Sequence, residues 1–181
     1  MKYKYLIAFA LIFTAIVVPH SAYAQEAGAS AGLKPQIETS RIVDAKIKEN
    51  AIKNVLADYA SPLIGEAEAF VTTARALGLD PYLLPAIAGV ESGFGQRYLK
   101  HTNNVFGFGV GRIPFDNFAD GIARVGYALR FKYINRGAQN LAQIGHMYAG
   151  GSTTWAPKVQ RYISAFEYEE MKLRRFALLS S

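Results

Sequence analysis

One segment limits what this chain can become: Pro81 to Glu91, reading PYLLPAIAGVE, whose only charge is its last residue. A helix that is apolar on every side has no solvent face, so other elements must pack around it. Asp80 followed by Pro81 supplies an N-cap and a first-turn proline, which sets the start. Pro85, one turn further in, has no backbone N–H and forfeits the hydrogen bond to Pro81, which predicts a local kink. At the other end Glu91 stands beside Val90, Ser92 and Phe94. A carboxylate held among apolar side chains loses hydration and is driven towards its protonated form. That is the state a general acid needs. The competing reading is an ordinary solvated glutamate at a helix end.

The residues after Glu91 favour a site. Between Gly93 and Pro114 glycines crowd (Gly93, Gly95, Gly107, Gly109, Gly111), with Phe94, Phe106 and Phe108 among them. Such a segment is a loop or one short hairpin that lets a ligand approach the backbone, or a connection whose aromatics plug the core. Helical spacing surrounds it. Glu66 to Leu77 carries Phe70, Val71, Ala74 and Leu77 and closes at Gly78. Asn117 with Asp120 predicts a capped start for a helix bearing Phe118, Ile122, Val125, Leu129 and Tyr133, ended by Arg136-Gly137. Gln139 to Tyr148 is a shorter helix, and Trp155 to about Tyr168 is the last, with Val159, Tyr162, Ile163 and Phe166 inward. The fold class is therefore mainly α, a small helical domain with at most one short β-hairpin.

The ends divide differently. Residues 1–24 have Lys2 and Lys4, an apolar run from Leu6 to Val18 and Ala22-Tyr23-Ala24, the pattern of an export signal. The run is short for a membrane span, so no stable span is expected after cleavage. Residues 25–61 read as a small polar leader (Gln25 to Pro35) and then a weakly apolar helix or flexible arm. The compact domain is placed at 62–170, and 171–181 form a basic, apolar tail with no assigned role. There is no cysteine, which excludes disulfides and lipid attachment through a cysteine. His101 and His146 have no carboxylate partner nearby in sequence, so neither is read as a metal ligand, and no cofactor motif occurs.

The chain carries a formal charge of +6. From Ser92 to Phe166, Arg97, Lys100, Arg112, Arg124, Arg130, Lys132, Arg136, Lys158 and Arg161 face only Asp116 and Asp120. A basic lobe suits an anionic polymer, and an exported protein meets wall polymer or phospholipid before nucleic acid. A merely solvated basic surface is the alternative.

Four segments taken in order, ALGLDPYLLPAIAGVESGFG, NNVFGFG, FDNFADGI and MYAGGSTTWAPKV, resemble the glucosaminidase branch of the lysozyme-like superfamily. The likeness runs from about Pro62 to Phe166. It implies a lysozyme-like helical domain that cuts β-1,4 bonds in peptidoglycan or a related N-acetylated glycan. On that mapping Glu91 is the catalytic acid and Tyr148 the tyrosine lining the cleft opposite it. Asn104, Phe106 and Gly107 border the sugar subsites, and Ser92 hydrogen-bonds near the acid or substrate. Trp155 is either a sugar-stacking residue or core packing at the head of the last helix. One departure stands out. Where many glucosaminidases carry a second acid in a longer lobe, this chain has VGRIP. Two alternatives accompany the hydrolase: a lytic transglycosylase, whose Gly-Leu-Met-Gln loop is not matched here, and a glycan-binding domain without catalysis.

Overall fold

The computed structural model describes residues 21–180, with side chains from residue 36 onward. The export signal expected over Met1–Ala24 lies outside the described residues except for its last four positions, which are helical. Two units divide the chain, Met1–Ser40 and Arg41–Ser181. The described part of the first, residues 21–40, is helical and belongs to α1; the 25–35 stretch read as a leader falls inside it.

The elements are α1 (Ser21–Asp58), α2 (Ala67–Leu77), α3 (Leu83–Ser92), α4 (Phe118–Ala128), α5 (Leu141–Tyr148) and α6 (Trp155–Leu179). No strand occurs among the described residues, so the protein is mainly α and the 93–114 segment is loop with one 3-10 turn. The all-apolar run becomes the central helix. From Leu83 to Gly89 every residue of α3 is buried, and α6 packs along it. Contrary to the expected start, Asp80 is not the N-cap and Pro81 is not the first helical residue. Asp80 Oδ1 accepts from the Tyr82 backbone N–H at 2.7 Å in a turn ahead of the helix, which starts at Leu83.

Local chemistry sets the other boundaries. Asn117 Oδ1 accepts from the Asp120 N–H at 2.9 Å, while Asp120 Oδ2 takes the Asp116 N–H at 3.1 Å. The cap forms as expected, but its return bond reaches one residue further back. α4 then widens into a π turn over Leu129–Tyr133, tightens at Ile134–Arg136 and stops at Gly137. Asn140 caps α5 by accepting from the Gln143 N–H at 3.0 Å.

Two boundaries of the sequence reading move. The compact unit starts at Arg41, not near Pro62, because Ala51, Ile52, Val55 and Leu56 of α1 are core residues. α6 does not end near Tyr168. It runs to Leu179 and absorbs most of the 171–181 tail. These two segments hold each other: Lys48 Nζ donates to Glu170 at 3.2 Å, Asn54 Nδ2 to Glu169 at 2.9 Å, and Arg174 bridges Asp44 and Glu170. Charged side chains of the second half of α1 and the end of α6 thus face one another.

Candidate active site

The site is built where the end of α3 meets the start of α6. Glu91 is half-buried on the last turn of α3. Behind it the chain makes three left-handed residues in succession, Gly93, Phe94 and Gly95, with φ of 58°, 57° and 81°. Ser92 holds this turn. Its Oγ donates to the Ala88 carbonyl at 2.9 Å and accepts from the Gly95 N–H at 2.9 Å. Ser61 Oγ adds a bond to the Phe94 carbonyl at 2.7 Å. A positive φ at a buried phenylalanine is costly and persists only where surroundings over-determine it. The turn is thus a rigid seat for the carboxylate. Ser92 is fully engaged with backbone, so it serves the turn and does not reach toward acid or ligand.

In front of Glu91 runs the glycine loop. Asn104 is buried and spends its amide on that loop: Nδ2 donates to the Phe108 and Ile113 carbonyls at 2.7 and 3.0 Å, and Oδ1 accepts from the Phe108 N–H at 3.1 Å. It shapes the loop and offers no group to a ligand. The Phe106 ring is fully buried, and its carbonyl accepts from the Tyr148 hydroxyl at 2.8 Å. Gly107, with φ 62°, lies directly against the acid. A Cβ there would sit 2.8 Å from Glu91 Oε2. Both the backbone angle and the close approach require glycine at this position.

The third wall comes from α5 and α6. Trp155 is 4% exposed, and its Nε1–H donates to Glu91 Oε1 at 2.7 Å. A ring so enclosed has no face for a sugar, so the stacking reading gives way to a direct hold on the acid. Gly145 makes room for it, since a Cβ there would stand 2.7 Å from the indole. The Tyr148 ring lies 5.4 Å from Trp155, 6.1 Å from Tyr133 and 6.2 Å from Phe108. Glu91, Tyr148, Phe106, Gly107 and Trp155 therefore come together, while Ser92 and Asn104 hold the scaffold behind them. Tyr133 and Phe108 join the site without having been singled out. Tyr133 fell on the apolar stripe of its helix and Phe108 among loop aromatics, so only the tertiary packing distinguishes them from core.

The electrostatics follow from this enclosure. Burial raises the Glu91 carboxyl above the ordinary glutamate value, and the Trp155 N–H draws it only part of the way back. No lysine, arginine or second carboxylate contributes. Burial also pushes the Tyr148 phenol well above its usual range, with smaller contributions from Glu91 and Tyr133. The arrangement favours the protonated form of the carboxyl beside a neutral phenol. Among the described residues there is no cluster of three or more metal-ligating side chains, and His101 and His146 are exposed. No helix of the described residues is long and apolar enough to cross a membrane. No family model matches the chain, and a search of curated proteins finds no match.

Proposed function

We propose that the protein is an exported glycoside hydrolase of the lysozyme-like kind, cleaving β-1,4 bonds of peptidoglycan or a related N-acetylglucosamine-containing glycan. The observation that carries this reading is Glu91 itself: a carboxyl desolvated between Trp155 and Gly107, with no cation to hold it ionised. The four ordered sequence motifs support the substrate class, and the residue 1–24 pattern supports export. In the reaction Glu91 gives its proton to the glycosidic oxygen as the C1–O bond breaks and that oxygen takes the bonding pair. The acetamido oxygen of the same sugar then bonds to C1. Water next attacks C1, the C1–acetamido bond breaks, and Glu91, now a carboxylate, takes the water's proton. Tyr148 has its proton committed to Phe106, so its oxygen is available to accept from that water.

The same lone carboxyl fits a lytic transglycosylase, in which a hydroxyl of the sugar captures C1 in place of water. Digestion of purified peptidoglycan with mass spectrometry of the new chain ends separates the readings. Reducing N-acetylglucosamine ends support hydrolysis. Anhydro-muramic ends transfer the assignment to the transglycosylase, and retention on the glycan without any new ends makes the protein a binding domain.

A further inference from the structure

The contact between Trp155 and Glu91 bears on which oxygen does the chemistry. An indole N–H donates and never accepts. Glu91 Oε1, 2.7 Å from Nε1, is therefore an acceptor whether the carboxyl is charged or neutral. The acid proton is left to Oε2. Among the described residues nothing hydrogen-bonds Oε2, which faces the bare Cα of Gly107. The indole cannot swing to the other oxygen. It is buried, seated against Gly145 and flanked by Tyr148 at an interplanar angle of 30°.

We propose that Trp155 is a positioning residue: its N–H selects Oε2 as the proton-bearing oxygen of Glu91 and turns it towards Gly107. The scissile bond is then met from the side of the 107–113 loop. The choice of oxygen stands on geometry alone, whereas the side of approach rests on the glycosidase reading. The titratable groups facing Glu91 are Tyr148 from α5 and, behind it, Tyr133 from the π turn. Both are phenols raised by burial, so both stay neutral while a glutamate titrates. Trp155 also opposes burial, since a donor to the carboxylate favours its ionised form.

The chain has one tryptophan, so its indole N–H gives a single resonance in the full-length protein. A pH series of that resonance by ¹⁵N–¹H correlation is the test. It should move in one step with a midpoint above 4.5, the ordinary glutamate value, and the step should vanish in Glu91→Gln. A resonance that stays still, or moves identically in Glu91→Gln, overturns the proposal. Trp155→Phe keeps an aromatic ring and removes the pyrrole half that carries the donor. In it the Glu91 carboxyl carbon should titrate higher than in the wild type, since the donor that favours the carboxylate is gone. An unchanged midpoint in folded Trp155→Phe also overturns it, and if that variant does not fold, the wild type and Glu91→Gln decide alone. Peptidoglycan digestion by the same wild-type sample keeps the two claims apart. An indole that tracks Glu91 without glycan cleavage upholds Trp155 as the group that holds the carboxyl and removes the approach side. Cleavage with an indole indifferent to Glu91 sinks the positioning role and leaves the hydrolase.

Discussion

Glu91 and Glu170 are both carboxylates withdrawn from water, and α6 touches both, by its first residue at one and by its own side chain at the other. Their tendencies are opposite. At Glu91 burial dominates, and a single neutral donor does not reverse it. At Glu170 burial is again the largest influence and again raises the carboxyl. The Tyr82 hydroxyl at 2.5 Å, Arg174 and Lys48 together outweigh it, and the group ends below the ordinary value. Burial alone makes an acid, whereas burial among cations makes a clamp. None of the nine bases between Ser92 and Phe166 contributes to the state of the Glu91 carboxyl. One lysine beside it would turn the acid into a second clamp.

Exchanging each carboxylate for its amide should therefore break different things. Glu91→Gln is expected to lower glycan cleavage by about 10²–10⁴-fold, since it removes the transferable proton and keeps the shape. Glu170→Gln should leave cleavage per folded molecule intact and cost on the order of 2 kcal/mol of stability, because Lys48 and Arg174 lose their shared partner. Release of reducing ends and urea denaturation read the two effects. Wild-type cleavage by Glu91→Gln would end the assignment of the acid.

Tyr148→Phe comes next in size. The phenol is tied to the Phe106 carbonyl and stands in the acid's field. Removing only the hydroxyl should lower kcat by about tenfold or more while KM changes little, since the ring remains in place. A matching rise in KM with constant kcat would instead make Tyr148 a binding wall.

The pH dependence of stability sharpens the contrast, because the signs differ. Glu91 has a raised pKa when folded. Its contribution is present below the unfolded value of 4.5 and is lost as pH rises through the folded value. Glu91→Gln should therefore be more stable than the wild type at neutral pH, and the gain should disappear on acidification. Glu170 has a lowered pKa when folded. Its contribution is present above 4.5 and is lost as pH falls through the folded value. The deficit of Glu170→Gln should shrink on acidification. Thermal melts from pH 3 to 8 check both, and parallel curves for the two variants would dissolve the distinction.

What the sequence disclosed follows the range of the interactions involved. The cap at Asn117, the stop at Gly78 and the apolar run buried over Leu83–Gly89 are visible within a few residues, and reading in order recovers them. The clamp joins residues 115 to 130 positions apart, such as Asn54 with Glu169 and Asp44 with Arg174, and no periodicity signals it. For that reason the second half of α1 looked like an arm and the end of α6 like a tail. Glu91, Tyr148 and Gly107 were legible as a set through the motifs. The role of Trp155 was not, because it depends on the end of α3 meeting the start of α6.

The smallest effect is expected at the acids that would be needed for a second catalytic carboxylate. After Glu91 the chain offers only Asp116 and Asp120 before Glu167. Asp120 is already occupied, by the Asp116 N–H and by Arg124 Nε at 2.9 Å. Asp116 is exposed at the start of the α4 cap. A retaining pair needs its carboxyls about 5–5.5 Å apart, and a charge that close would raise Glu91 further. Neither aspartate contributes to the Glu91 shift, which comes from burial and Trp155 alone. Asp116→Asn should thus leave cleavage within about twofold of the wild type. Asp120→Asn should do the same for the chemistry while weakening the helix start by ~1 kcal/mol. Initial rates on soluble glycan fragments, with circular dichroism as the check on folding, decide it. Loss of turnover in a folded Asp116→Asn protein would show that a mobile second acid reaches the cleft, and the lone-acid half of the comparison would fall.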